Sequence, residues 1–412
     1  MVKEHASRMT QEATEAVDLL HASGRVLAEP IAADRDIPPF PRSTRDGYAV
    51  RAADLGTVPA RLSVIGEIKA GPRSGQIPPL NRGEAFSIMT GAPVPQSADA
   101  VVMVEYTILR NGFVEIAKGV EAGENIVSQA AEAKLGSLLL DRGERLEHTA
   151  IALAASAGKS RLQVFVRPRV ALLTTGDEIV AVDTVLDAQS GLTQIRNSNA
   201  YSLAAQVQEA GGEPVLLPLA PDEPRRLREL MERGLEADLL IVTGGVSMGR
   251  YDLVEQVLAD MKTEFLFTGA KIQPGRPVVF GRMPCGRGRL ARAPDSAPSP
   301  HKYFFGLPGN PVSTMVTFEL FGRPVLEAMA GMRPRPLNFL HARLKSEIRV
   351  KTGLKRFLPA LLSGEYEHSE VELVPWQGSG DIAAKARANC YVVIPPDGEH
   401  IVAGEWVAVM LR

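Results

Sequence analysis

Several short segments that combine carboxylates, hydroxyls and glycines follow directly on apolar runs. Thr174-Thr175-Gly176-Asp177-Glu178 ends one such run, and Asp222 lies just beyond VLLPL. Thr243-Gly244-Gly245-Val246-Ser247-Met248-Gly249 ends another, with Asp252 close behind. Gln273-Pro274-Gly275-Arg276-Pro277, preceded by Lys271, and Leu307-Pro308-Gly309-Asn310-Pro311-Val312-Ser313 bracket a further apolar pair. Glycine lets backbone approach a ligand closely, and amides in a turn or at a helix start favour anions. Carboxylates beside such loops repel a phosphate unless a divalent cation bridges them. Glu178, Asp222 and Asp252 therefore point to a phosphorylated ligand held with Mg²⁺. Taken singly, each segment is also a plain turn, and Asp222 and Asp252 also suit helix caps.

Three more segments carry the same residue types. Asp46-Gly47-Tyr48-Ala49-Val50 sets an acid before an apolar run, which is equally the pattern of an Asp-Gly hairpin turn. Met89-Thr90-Gly91-Ala92-Pro93-Val94-Pro95 is a Gly/Pro loop with a hydroxyl, and Gly378-Ser379-Gly380-Asp381 is a turn whose hydroxyl and amides suit an anion.

The elements that must carry these loops follow from hydrophobic periodicity. Residues 10–23 read as a helix capped by Thr10, with Ala13, Ala16, Val17 and Leu20 on one face and Gly24 at its end. A second helix runs from Thr149 to Ala157 and stops at Gly158. Between them LSVIGEI, AFSIMTG, AVVMVE and GFVEIA are strands, so a β-rich unit is inserted between two helical pieces. From Arg169 onward strands alternate with helices. One helix is capped by Asn199; another begins at Pro224 and ends at Gly234. This rhythm predicts a doubly wound, mostly parallel sheet with its ligand outside the carboxyl ends of the strands, where the segments above fall. VVF and YFFGL pair as a hairpin around an Arg/Pro/Ser-rich insert, 282–302. Beyond Arg333-Pro334-Arg335-Pro336, short strands predict a small β-barrel.

The 412 residues exceed one core, and a prior of roughly 150 residues per domain gives two to four domains. A net charge of -2 offers no general attraction for nucleic acid, so anion binding must be local. No run matches a signal peptide or a membrane span, which leads us to expect a cytoplasmic protein. Two cysteines and seven scattered histidines predict neither disulfides nor a zinc site.

Asp46–Val50, Met89–Pro95, Thr174–Glu178, Gly244–Asp252, Pro274–Pro277, Leu307–Ser313 and Gly378–Gly380 occur in an order that resembles the molybdopterin molybdotransferases, the family that includes the gephyrin E domain. The resemblance spans the chain. It implies an elongated α/β dimerisation domain (1–44 plus 135–167), an inserted β-rich domain (45–134), an α/β molybdopterin-binding domain (168–333) and a C-terminal β-barrel domain (334–412). It implies a homodimer whose cleft includes the partner's inserted domain. It also implies insertion of molybdate into adenylylated molybdopterin with Mg²⁺, releasing AMP and molybdenum cofactor, and possible contacts with the molybdopterin adenylyltransferase and acceptor molybdoenzymes. By motif position, Asp46, Thr90, Glu178, Asp222 and Asp252 match functional positions, with Asp46, Glu178 and Asp252 as metal ligands. Thr175, Gly176, Asp177, Gly244, Gly245, Val246, Ser247, Pro308, Gly309, Asn310 and Pro311 correspond to the substrate cradle. Arg276 and Ser379 correspond to oxyanion contacts. Lys271 is a further cation able to offset the charge of molybdate, a tetrahedral dianion, though its type better suits a solvated surface lysine.

Some positions depart from the family pattern. Arg45 stands where an apolar residue is usual, and residues 127–136 lack an Arg and a Gly-Glu-Asp triplet, with Glu132 at the acidic position. Gln273 and Arg276 replace lysines, and the 282–302 insert is long. Two alternatives stay open at this level: a non-catalytic relative that delivers or scaffolds molybdopterin, and the enzyme that adenylylates it.

Overall fold

The computed structural model describes residues 12–71, 76–245, 253–284, 301–365 and 367–411. The chain divides into two compact units. One joins Gly143–Glu147 and the chain from Leu162 onward with the described residues up to Ala28; the other holds Glu29–Arg142 and His148–Arg161.

The first unit is built on a six-stranded sheet. Its strand order is Glu213–Leu216, Arg169–Thr174, Leu239–Thr243, His301–Leu307, Val279–Pro284, Glu264–Thr268. The first four run parallel; Val279–Pro284 is antiparallel to both of its neighbours. The strand that comes first in sequence thus lies between the second and the third, which makes a topological switch point at the carboxyl end of Arg169–Thr174. Successive side chains of that strand face opposite sides. Ala171 and Leu173 pack with Leu227, Leu230, Met231, Val254 and Leu258, while Val170 and Leu172 pack with Leu203, Val207, Phe318 and Leu326. The helix Pro224–Gly234 buries Leu227, Leu230, Met231 and Gly234, the spacing of one helical face. Pro224 starts it and Gly234 ends it, as expected from the sequence.

The hairpin of Val279–Pro284 and His301–Leu307 forms with Val279 opposite Gly306 and Pro284 opposite His301. The insert is shorter than the expected 282–302, because residues 282–284 and 301–302 pair within the hairpin; the rest, residues 285–300 with Cys285, lies outside the described residues. The C-terminal strands Phe339–Leu344, Lys355–Ser363, Glu370–Leu373, Cys390–Ile394 and Trp406–Leu411 close on themselves, because Lys355–Ser363 pairs with both Glu370–Leu373 and Cys390–Ile394. The expected small barrel is therefore present.

The second unit carries its own six-stranded sheet, ordered Ala100–Met103, Gly47–Val50, Glu84–Ile88, Ala60–Ile68, Phe113–Ile116, Thr107–Arg110. Ala60–Ile68, Glu84–Ile88, Ala100–Met103 and Phe113–Ile116 are the four strands expected of the inserted β-rich segment; Gly47–Val50 and Thr107–Arg110 are additional, and the helix His148–Ser156 follows.

Three expectations are corrected. Residues 10–23 are not a helix in their described part: Thr14–Asp18 is a strand paired with Arg161–Phe165, and Leu19–His21 is a 3₁₀ turn. Thr10 lies outside the described residues. Leu20 is 91% exposed, so the supposed apolar face has nothing to bury it, and strand pairing overrides weak helical periodicity. The Asp18 carboxylate then accepts the His21 amide, a local bond that competes with helix. Second, Asn199 is not the cap of Ser198–Glu209; Asn197 is, accepting from the Ala200 amide at 3.2 Å. Third, Asp46-Gly47 is not a hairpin turn. Gly47–Val50 pairs with Glu84–Ile88 and Ala100–Met103, while the preceding Arg42–Ser43 pairs with Ile126–Val127. Gly47 is needed there because a Cβ would strike the Val102 carbonyl.

Candidate functional site

Three of the loops singled out in the sequence, those after Thr174, Thr243 and Leu307, meet at the switch point. Thr175 donates its backbone N–H to the Thr243 carbonyl, bringing the ends of the first and third strands together. Gly244 has a φ of 88°, and a Cβ there would collide with the Thr175 carbonyl. Its own amide reaches the Leu307 carbonyl at 3.3 Å, so the fourth strand end joins the other two. Gly245 also has positive φ and abuts Val254. The Thr243 hydroxyl donates to the Thr174 hydroxyl, which sits 3.3 Å from Asn197 Oδ1. The floor of the crevice is thus a chain of short polar contacts beneath three glycine-containing turns.

Three carboxylates rim it. The Thr175 hydroxyl, buried at 3% exposure, donates to Asp222 Oδ1 at 2.9 Å, and the Asp222 amide donates to Asp177 Oδ1 at 3.0 Å. Asp222 is therefore not the cap of the following helix; that position is Glu223, whose side chain makes no capping bond. Glu178 turns back over Gly176: a Cβ on that glycine would lie 2.7 Å from Glu178 Oε2. Its carboxylate has no partner among the described residues. All donors here are oxygens, without thiolate or imidazole, which suits a hard cation such as Mg²⁺. Among the described residues no three His, Cys, Asp or Glu side chains converge as a metal site by themselves. A cation would draw its remaining ligands from phosphate and water, as Mg²⁺ characteristically does.

Beside Gly244 lies the Leu307–Ser313 loop: a Cβ on Gly309 would stand 3.5 Å from Gly244 Cα. Pro308 and Pro311 have no N–H, Thr314 ties its hydroxyl to the Pro308 carbonyl, and the Val312 amide donates to the Ser379 carbonyl at 3.0 Å. That last bond brings the Gly378–Asp381 turn of the barrel against this loop. Asp381 caps Ile382–Arg387, and the amides of Ala384 and Gln377 hold its carboxyl below the usual range. The amides of Gly309 and Asn310 have no acceptor among the described residues, and the Asn310 side chain makes no capping bond. The 273–277 loop leans on the same helix, since a Cβ on Gly275 would strike Thr317 Cγ2. Arg276 next to it is exposed, as is Lys271, whose carbonyl accepts the Lys355 amide.

The second unit holds Asp46 and Thr90. The Asp46 carboxylate accepts both the Thr90 amide at 2.7 Å and the Thr90 hydroxyl at 2.9 Å. These two bonds, the amide first, depress its pKa below the ordinary carboxylate value. The segment lacking the family's arginine finds one across a ladder: Arg42 lies opposite Val127, and its Nη2 meets Glu132 Oε1 at 3.1 Å. Arg42 also bridges to Pro93 of the Thr90 loop.

Of the expected site residues, Thr175, Gly176, Asp177, Glu178, Asp222, Gly244, Gly245, Pro308, Gly309, Asn310, Pro311 and Ser379 fall together in the first unit. Val246, Ser247 and Asp252 lie outside the described residues. Two residues were missed. Asn199, 7% exposed, donates Nδ2 to the Gly309 carbonyl at 2.7 Å. Its signal was the Asn197-Ser198-Asn199 pattern, in which only one asparagine can cap and the other needs a different partner. Arg356, 9% exposed, is paired in register with Gln273, and its guanidinium bonds the Lys351 carbonyl.

Comparison with known proteins completes the description. Three family models match in series: the MoeA N-terminal region (domain I and II) over residues 1–158, a probable molybdopterin binding domain over 171–328, and the MoeA C-terminal region (domain IV) over 341–411. The molybdopterin molybdenumtransferase of a Nostoc species is 34% identical, covering 97% of this chain and 89% of that protein. That of Bacillus subtilis is 33% identical, covering 97% and 90%. The crystal structure of a molybdopterin biosynthesis moeA protein from Pyrococcus horikoshii OT3 superposes with a TM-score of 0.77 at 28% identity, covering 100% of this chain and 99% of that one.

Proposed function

The chain belongs to the molybdopterin molybdenumtransferase family, and we propose that, as a transferase of molybdenum-cofactor biosynthesis, it inserts molybdate into adenylylated molybdopterin with Mg²⁺, releasing AMP and molybdenum cofactor. The observation that carries this reading is that loops meeting at one switch point, through Gly244, bear both unpartnered amides, at Gly309 and Asn310, and the carboxylates Asp177, Glu178 and Asp222. A site that offers both donors and acids suits a phosphorylated ligand that arrives with a cation.

Each residue then has a task. The Gly309 and Asn310 amides and the Thr175–Gly176 turn bind and orient the pterin phosphate, while Gly244 and Gly245 allow close approach. Arg276, Lys271 and the Ser379 hydroxyl offset the charge of molybdate, a tetrahedral dianion, as it approaches a phosphorylated ligand. Asp222 keeps the Thr175 hydroxyl in place. Glu178, with Asp46 and Asp252, would hold Mg²⁺, which when bound neutralises charge on the phosphoanhydride. Asp46 and Thr90 are assigned to the cleft of the partner copy in a homodimer. A cytoplasmic location and hand-over from a molybdopterin adenylyltransferase to acceptor molybdoenzymes complete the proposal; among the described residues no helix is long and apolar enough to cross a membrane.

The test is turnover. Purified protein given adenylylated molybdopterin, molybdate and Mg²⁺ is expected to release AMP only when molybdate is present, and chelation should stop it. Tight binding without AMP release would overturn the enzymatic reading in favour of a carrier.

A further inference from the structure

Asn199 is a buried polar side chain that neither the helix nor the core requires. Its helix is already capped by Asn197. Its Nδ2 crosses 110 residues of sequence to the Gly309 carbonyl, while its Oδ1 is buried and has no hydrogen-bond partner among the described residues. A carboxamide kept with one end unsatisfied carries a standing cost, so its value lies in the donor it spends on Gly309.

The consequence for the loop follows from peptide geometry. The Gly309–Asn310 bond is not among the cis peptides of the chain, and in a planar trans peptide the C=O and the following N–H point in opposite directions. Drawing the Gly309 carbonyl inward toward Asn199 therefore turns the Asn310 N–H outward. That N–H is one of the two amides of the loop left without an acceptor among the described residues. The neighbours leave little freedom to do this another way: Pro308 and Pro311 have no N–H, and the Val312 amide is held by Ser379.

We propose that Asn199 is a positioning residue, one that fixes the Gly309–Asn310 peptide so that the Asn310 N–H faces the phosphate oxygens of the substrate. This rests on the proposed function for the identity of the anion, but not for the orientation of the peptide. Substrate contact belongs to Asn310; Asn199 acts through Gly309. Because the contact is with bound substrate throughout, its loss should raise KM more than it lowers kcat.

Two variants separate this from a merely structural role. Asn199→Leu removes the donor and also the unsatisfied acceptor. The expected result is a Tm no lower than wild type, with KM for adenylylated molybdopterin raised about tenfold, or about 1.4 kcal/mol, and kcat changed less than threefold. Asn199→Asp sets a carboxylate against the Gly309 carbonyl and should raise KM at least as far. Crystal structures of both variants should show the Gly309 carbonyl turned away from position 199. An unchanged peptide orientation would overturn the inference, whether or not the wild type turns over. An unchanged KM, or a KM rise that only tracks a lower Tm, would overturn it as well. Wild-type protein that releases no AMP would instead defeat the proposed function, leaving the peptide orientation to be decided by the crystal structures.

Discussion

Replacing Asp222 by alanine isolates what the carboxylate rim does for the loop behind it. The Thr175 hydroxyl is buried, and Asp222 Oδ1 is its acceptor, at 2.9 Å. Without that oxygen the hydroxyl is an orphaned donor in the floor of the crevice, costing about 1–3 kcal/mol. Some of this will appear as reduced stability and some as a displaced 174–178 turn. If the turn positions substrate, a loss of that size in transition-state binding lowers kcat/KM roughly 10- to 100-fold, since each ~1.4 kcal/mol is tenfold. Asp222→Asn removes the charge but keeps an amide oxygen able to accept from Thr175. It should stay within about threefold of wild type on the same reasoning. Thr175→Val removes the hydroxyl itself, leaves no orphaned donor and should cost less than Asp222→Ala. Molybdate-dependent AMP release at several substrate concentrations, with Tm measured alongside, gives the required numbers. The reasoning is refuted if Asp222→Asn is as damaged as Asp222→Ala, because the charge rather than the hydrogen bond to Thr175 would then be what matters.

The other expectations can be stated briefly. Thr90→Val removes the hydroxyl bond to Asp46 but leaves the backbone one, so the Asp46 pKa should rise toward its ordinary value. A carboxylate with a depressed pKa loses its contribution as pH falls through that pKa, so the acid limb of the pH–activity profile should move to higher pH in the variant; NMR titration of Asp46 reads the shift directly. Glu178→Gln should raise the Mg²⁺ concentration needed for half-maximal activity by an order of magnitude or more, read from Mg²⁺ titrations, while leaving Tm unchanged because that carboxylate holds nothing among the described residues. Replacing residues 285–300 with a short turn between Pro284 and His301 should leave kcat/KM within about twofold, since that end of the hairpin lies opposite the one carrying Leu307. Arg276→Ala should raise KM for molybdate more than KM for adenylylated molybdopterin, and Arg276→Lys should recover part of it.

The strands of the mostly parallel sheet and the barrel, and four of the six in the second sheet, were legible because β-branched and aromatic runs end at Gly, Pro or Asp, and the helix Pro224–Gly234 because both of its ends are marked. What escaped the sequence depended on distant partners. Residues 14–18 carry a weak helical pattern, yet their fate is decided by a strand beginning at Arg161. Either asparagine of Asn197-Ser198-Asn199 can cap by type; the choice is made by Gly309, far along the chain, which claims the second. Asp222 looks like a cap because it precedes Glu223-Pro224, and only the fold reveals Thr175 beside it. The apparently missing arginine of 127–136 is likewise visible only across a ladder, as Arg42 opposite Val127. Motif positions were readable because loops at strand ends are fixed by the strands; side-chain duties were not, because each is settled by a contact distant in sequence.

That distinction bears on which acid can serve a cation. Asp177 and Asp222 look interchangeable with Glu178 in the sequence, all three being carboxylates at strand ends of one sheet. In the structure Asp177 Oδ1 is taken by the Asp222 amide, and Asp222 Oδ1 by the Thr175 hydroxyl. Either keeps its Oδ2 for a metal, as Asp46 does beside its two bonds from Thr90, but on a carboxylate whose direction the turn already fixes. Glu178 has no such duty among the described residues, and its longer side chain already folds over Gly176 with both oxygens within 3.0 Å of where a Cβ would stand. A carboxylate with no partner to surrender can accept a hard cation without rearranging the crevice. The same reasoning separates the donors of the Leu307–Ser313 loop: the Val312 amide is spent on Ser379, and those of Gly309 and Asn310 are not. Where residue types coincide, the groups left over after the fold has satisfied its own hydrogen bonds are the ones free to meet a ligand.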